Sequence, residues 1–228
     1  MNSIDENPNY KEIYKFIEQK YFETDYFNSG PFDESFFSLR VYETCKDIIK
    51  LIDVPVKKQQ LLVAALLHDI GKIKLNVAKV FDVEGVKKKN QYVDEWKKHP
   101  ELSLEIVKPY LNKKGHSDGF IEEVCYLIKN HDKRMNLKDK TIELKILQDA
   151  DLLADVGFAG FIRPFLYGGK FNRSTVHTIK FITSHKGVRV SDLNEINLDV
   201  SKEIAKKEIE LEKNMIKEMA KDIESDVF

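Results

Sequence analysis

The chain has 228 residues, 37 basic against 38 acidic, with 42% hydrophobic residues, which is enough to bury a core without disulfide staples. A net charge of -1 gives no global footprint for nucleic acid. Cys45 and Cys125 lie singly in apolar segments without metal-ligand spacing, and no apolar run or leader-like N-terminus suggests a membrane span, so a cytoplasmic protein is expected.

In chain order, Tyr10, Ile13, Tyr14, Ile17 and Tyr21 recur at helical spacing and predict an amphipathic helix. Asn28, Ser29, Gly30 and Pro31 break it. The expected organisation is residues 1–30 as an N-terminal helix packing on the domain, and 31–228 as the helical domain itself. From Asp33 a second helix carries Phe36, Phe37, Leu39, Val41, Cys45, Ile48 and Ile49 to about Asp53, and Pro55 marks the start of a third.

The third helix holds the stretch on which the rest depends. Leu61 to Leu67 is apolar all the way round, so it belongs in a core, and Gly71 is read as the residue just past its end. Between them sit His68 and Asp69. A carboxylate carried into a core costs several kcal/mol unless it is paired or bound to a metal. An ordinary helix end would pair Asp69 with Lys72 or Lys74 and give His68 a carbonyl; a metal would use both side chains. Imidazole nitrogen with carboxylate oxygen suits a transition metal or zinc.

The segment after Gly71, as far as Lys98, reads as a loop with short helical pieces over the site, anchored by Val80, Phe81, Tyr92 and Trp96. His99-Pro100-Glu101 opens a helix through Leu104, Val107 and Leu111. A further stripe of Ile121, Val124, Leu127 and Ile128 ends just before His131. Ile142 to Val156 is apolar but interrupted by Asp149, Asp151 and Asp155. A short aromatic helix follows to Gly168-Gly169, then another around Thr175 to Ser184. The last helix, from about Ser201 to Ile223, places Ile204, Leu211, Met215, Met219 and Ile223 on one side, against the core or a second copy in a homodimer. No convincing period-two segment occurs, so the fold class is all-α, a single helical bundle with the site between core helices. His68, His99, His131 and Asp151 each lie at the end of an apolar helix or face inward from one, where one shared cation would satisfy them together.

With these residues in view, the sequence resembles the HD-domain metal-dependent phosphohydrolase superfamily from about Asp33 to Met219. Leu66 to Lys72 looks like the naming motif, and Gln148 to Asp155 is similar to the segment supplying the last aspartate ligand, which falls on Asp151. Ile162-Arg163-Pro164-Phe165 with Gly168-Gly169 looks like a subgroup of small bacterial and archaeal HD hydrolases. His99 and His131 resemble the extra histidines of members that hold two metals. The resemblance implies a divalent metal ion (Mn, Fe, Ni, Co, Zn or Mg) on His68, Asp69, His99, His131 and Asp151. Metal chemistry then makes Asp69 or Asp151 the residue that orients the nucleophile, and Lys72 and Arg40 the phosphate binders, with Arg163 as a further candidate. The implied substrate is a nucleotide or another small phosphate ester.

One position departs from the pattern. Where the family has His-x-x-Arg-Val, this chain reads Phe37-Ser38-Leu39-Arg40-Val41. Either the centre shifts toward Asp69, His99 and His131, or an acid substitutes, Glu34 being the nearest. Asn130 stands where two-metal members often carry a second consecutive histidine. The competing expectation is a catalytically degenerate HD-fold module that binds a nucleotide or a protein partner. No Gly-Tyr-Pro follows His131, and no Glu-Asp motif lies between Lys74 and Asp94, which argues against the cyclic-dinucleotide and alarmone branches.

Overall fold

The computed structural model describes residues 8–24, 34–76, 91–133, 139–170, 172–184 and 193–221. Every regular element among them is helical. Val80 and Phe81 lie outside the described residues, as do Asn28 to Asp33.

Helix α1, Tyr10–Phe22, starts at Asn9, whose side chain accepts the Glu12 N–H at 3.1 Å, and it buries Ile13, Ile17 and Tyr21. Helix α2, Glu34–Leu51, turns Phe37, Val41, Cys45 and Ile48 inward. Helix α3, Lys58–Leu67, is buried from Leu61 to Leu67, as its unbroken apolar run requires. It starts later than Pro55 suggests, because Glu143 accepts the Lys57 N–H at 2.9 Å and fixes the chain just before the first turn. Both cysteines are buried and free.

Beyond α3 the backbone forms a 3-10 turn, Ile70–Lys74, followed by the short helix α4, Gln91–Trp96, and by α5, His99–Lys113. Gly71 lies inside the 3-10 turn and is not a left-handed cap. It is glycine for another reason: a Cβ there would stand 2.2 Å from His99 O and 2.3 Å from Ser103 N. The turn therefore packs backbone to backbone on α5.

Helix α6, Asp118–Asn130, is capped by Ser117, and α7, Ile142–Leu153, by Thr141. Helix α8, Gly157–Lys170, runs through Gly168 and Gly169 rather than stopping there. Helix α9 is Thr175–Ser184, and the long α10 is Asp199–Lys221. The core lies where α2 and α6 flank α3, with α7 on α2 and α10 on α8. No helix among the described residues is long and apolar enough to cross a membrane.

The inward face of α10 differs from the expected stripe. Leu211 is 47% exposed, whereas Ser201, Ala205 and Glu212 are buried. Ile223 lies outside the described residues, and the face that packs on α8 carries a carboxylic acid, Glu212, whose Oε2 accepts the Gly157 N–H.

Candidate metal centre

Four helix ends converge on one pocket. His68 is the C-terminal cap residue of α3, His131 that of α6, His99 opens α5, and Asp151 lies in the last turn of α7. All are at most 3% exposed, as is Asp69. Asp69 adopts φ -103°, ψ 0°, the bridge region between helix and strand, where active-site residues are common. Tyr21 donates its hydroxyl to Asp69 O at 2.8 Å, and Ser103 donates to His68 O at 2.8 Å while accepting the Gly71 N–H at 2.8 Å. The His-Asp corner is thus pinned from α1 and α5.

The three imidazoles share one arrangement. Nδ1 faces the carbonyl of the third residue back: Ala65 O at 2.9 Å from His68, Trp96 O at 2.7 Å from His99, Ile128 O at 2.6 Å from His131. A carbonyl only accepts, so this network assigns the proton to Nδ1 and aims the Nε2 lone pair into the pocket. Metal-ligating histidines are oriented in the same way.

The Nε2 atoms meet carboxylates and one another. His68 Nε2 lies 3.2 Å from Asp69 Oδ2 and 3.5 Å from Asp151 Oδ1. Asp69 Oδ1 lies 3.2 Å from His99 Nε2 and 3.5 Å from His131 Nε2, and those two nitrogens are 3.1 Å apart.

The ordinary partners are present, and they satisfy only half of each group. Lys72 Nζ sits 2.5 Å from Asp69 Oδ2, and Ala65 O takes His68 Nδ1. Asp69 Oδ1 and His68 Nε2 remain buried without a hydrogen-bond partner. Such orphans cost about 1–3 kcal/mol each, more where the group is charged. A divalent cation fits this donor set, which holds two suitable His/Asp groupings: His68, Asp69 and His131, and His99, His131 and Asp132.

The electrostatics point the same way. Burial alone would lower the His68 pKa, but the negative charges of Asp69 and Asp151 outweigh it and push it up to about 10. Burial would raise the Asp69 carboxyl, yet His68 and Lys72 hold it well below the usual range. The pocket demands positive charge. A proton on His68 and a metal compete for that role.

Lys72 is itself buried, between Asp69 and Glu34, whose Oε2 accepts from Nζ at 2.8 Å. Its ammonium stands 4.7 Å from the Trp96 ring centre and 5.5 Å from that of Phe37. Glu34 Oε1 accepts from Arg163 Nη2 at 2.9 Å and from the Tyr167 hydroxyl at 2.5 Å. Both Glu34 oxygens are therefore engaged by protein donors, so the substitution of Glu34 for the missing histidine is not what the geometry shows. Phe37 is 2% exposed, and the Arg163 guanidinium stacks 4.3 Å from its ring centre. Two cations occupy its faces, where aromatic quadrupoles attract them.

Arg40 is not brought to this cluster. It donates Nε to Ala154 O at 3.1 Å, beside Asp155 and Glu208. Ala154 ends α7 and its carbonyl is one of those a helix terminus leaves open, so the guanidinium serves as a cap. Asn130 is likewise committed elsewhere, donating to Tyr126 O at 2.8 Å.

Sequence reasoning passed over Asp132, Tyr167 and Ser103. Asp132 had a signal: His131-Asp132 repeats the His68-Asp69 dipeptide.

Fold and site together define an all-helical protein with a buried histidine–aspartate pocket at converging helix ends. The HD domain family matches residues 38–155, half of the chain, and the protein belongs to it. The match begins one residue after Phe37. Similar folds include Bacillus subtilis YpgQ in complex with ADP, at 20% identity and TM-score 0.61 over 95% of this chain and 99% of that one. A predicted HD superfamily hydrolase from an uncultured Thermotogales bacterium is 19% identical, covers 94% and 93%, and has a TM-score of 0.59. An HD-superfamily hydrolase from Bacillus thuringiensis is 17% identical, covers 95% and 97%, with a TM-score of 0.59. No curated protein matches the chain.

Proposed function

We propose that the protein is a metal-dependent phosphohydrolase acting on a nucleotide or another small phosphate ester. The observation that carries this reading is the pair of buried, unsatisfied atoms, Asp69 Oδ1 and His68 Nε2, at the meeting point of three imidazoles and two aspartates. His68, Asp69, His99, His131 and Asp151 would hold a divalent cation, with manganese, iron, cobalt, nickel or zinc favoured over magnesium by the nitrogen donors. Such an ion supplies Lewis acidity, neutralising phosphoryl oxygen charge and acidifying water.

The chain's own groups do the rest. Asp151 and Asp69 accept hydrogen bonds from the attacking water and orient it. Lys72 carries three ammonium donors, of which Glu34 and Asp69 take two, leaving one for a phosphoryl oxygen. Because Lys72 is locked between those carboxylates, its charge is in place before the transition state forms, which is where fixed charges are most effective. Arg163, across Glu34, reinforces the positive side of the pocket. The ADP complex of YpgQ supports a nucleotide as the substrate class.

Phe37 favours one second reading, a module that kept the fold and binds a nucleotide without cleaving it. A panel of divalent metals against nucleoside phosphates, sugar phosphates and phosphodiesters separates the two. The hydrolase reading expects metal-dependent phosphate release that His68→Ala and Asp69→Ala reduce by about 100-fold or more, the scale of several kcal/mol of transition-state stabilisation. Equal release by both folded variants would refute it.

A further inference from the structure

We infer that Asp132 is a ligand of the resident cation, which sits on the side of the pocket formed by Asp69 Oδ1, His99, His131 and Asp132. This rests on reading the pocket as a metal centre and narrows it: of the five residues named there, Asp69, His99 and His131 contact the ion together with Asp132, and His68 and Asp151 become supporting residues.

Three observations carry it. First, the two edges of the Asp69 carboxylate are unequal. Oδ2 is engaged by Lys72 at 2.5 Å, whereas Oδ1 has no hydrogen bond and faces His99 and His131. A cation seeking that carboxylate finds only Oδ1 available.

Second, Asp132 reaches the same two nitrogens. Its Oδ2 lies 3.3 Å from His99 Nε2 and its Oδ1 3.8 Å from His131 Nε2. Donor atoms about 2.1 Å from one ion stand about 3.0–3.5 Å apart in octahedral or tetrahedral geometry. His99 Nε2 has neighbours at 3.1, 3.2 and 3.3 Å, in His131, Asp69 and Asp132. Those three separations fall in the range for donors that share one ion.

Third, fixed cations already occupy the far side: around Phe37 stand Lys72 and Arg163, paired with Glu34, Asp69 Oδ2 and Asp155, whereas Asp69 Oδ1 and Asp132 face the imidazoles of His99 and His131. Asp132 is also 30% exposed at its side chain, which gives the ion a route from solvent that the fully enclosed His68 lacks. The ligand lost at Phe37 is in this way made up from the opposite wall.

The test is metal binding, measured on the full chain with Mn2+ by calorimetry and with Co2+ by visible absorption. Asp132→Asn is nearly isosteric and part-exposed, so the metal-free variant should melt like wild type. It should bind Mn2+ more than about 100-fold more weakly, beyond the roughly 10–100-fold loss typical of a merely supporting residue, and shift the Co2+ bands. Asp151→Asn should weaken binding less. Asp132→Asn binding like wild type, or Asp151→Asn losing more than Asp132→Asn, would overturn the assignment while leaving the metal centre standing. If wild type binds neither ion, the metal centre itself falls and the assignment with it.

Discussion

Lys72 and Asp69 form an ion pair buried on both sides, with Nζ 2.5 Å from Oδ2 and side chains 6% and 4% exposed. The 3-10 turn makes it: residues three apart eclipse in that geometry, and the Lys72 N–H donates to Asp69 O at 2.9 Å. The pair does two things at once. It fixes the carboxylate that faces the histidines, and it keeps an ammonium beside them.

Replacing Lys72 with methionine should therefore be costly. It strips Asp69 of its one Lys or Arg partner among the described residues and leaves Glu34 to Arg163 and Tyr167. Breaking one side of a buried pair costs about 3–5 kcal/mol. Thermal unfolding at neutral pH should show a midpoint lowered by roughly 6–20 °C, at about 2–4 °C per kcal/mol for this chain length. Lys72→Arg should not restore it, because a planar fork does not fit between two carboxylates and two aromatic rings. A midpoint equal to wild type would mean that the pair adds no stability.

Metal should stabilise the folded chain, because the donor set exists only when the helix ends converge. At about 100 times its dissociation constant, Mn2+ should add about 2.7 kcal/mol. That corresponds to a rise of roughly 5–11 °C, at about 2–4 °C per kcal/mol. Chelation with EDTA should reverse it. His99→Ala and His131→Ala should each remove most of the shift, read against each variant's own metal-free midpoint, since the two Nε2 atoms lie 3.1 Å apart and both face Asp69 and Asp132. A shift that survives both variants would place the ion elsewhere.

Gly71→Ala tests the close approach of turn and helix. The added methyl meets His99 O at 2.2 Å and Ser103 N at 2.3 Å, both backbone, so α5 must move. Overpacking of this kind costs about 1–3 kcal/mol or more. The specific expectation is that Mn2+ affinity falls too, because His99 rides on the displaced backbone. Destabilisation in urea without any loss of affinity would show that the turn is structural only.

Legibility of this molecule in its sequence follows from how each residue is satisfied. Leu61 to Leu67 could be placed because a run with no polar face has one destination, and the convergence of His68, His99, His131 and Asp151 followed from polar groups at the ends of apolar helices. Arg40 misled, because a motif position says nothing about which oxygen the side chain finds; the open carbonyl of Ala154 was nearer. Asp132 was passed over because an aspartate beyond a helix end is ordinarily a solvated residue. Gly71 was assigned to the end of α3 when its reason was tertiary, the backbone of α5, which no local pattern reveals. Glu212 was hidden for a related reason, since a charge on a helix is read as marking the outward face.

Glu212 yields the pH dependence. It is 1% exposed, and its Oε2 accepts the N–H of Gly157, the left-handed residue (φ 70°) that opens α8. Burial pushes its carboxyl up to about 8 from an ordinary value of 4.5, against the Gly157 hydrogen bond and with help from Asp155 and Glu208. For an acid raised in this way the folded state prefers the proton. Below pH 4.5 the folded and unfolded chains both carry it and there is no penalty. Between pH 4.5 and about 8 the unfolded chain ionises first, so the stability of the fold declines with rising pH, and above that range the cost is complete. Glu212→Gln keeps an oxygen for the Gly157 N–H and removes the ionisation. Its metal-free melting point should exceed that of wild type at pH 8–9, by about 2–4 °C for each kcal/mol relieved, and the gain should vanish near pH 4. A gain of the same size at every pH would show that packing, rather than the buried charge, sets the cost of this residue.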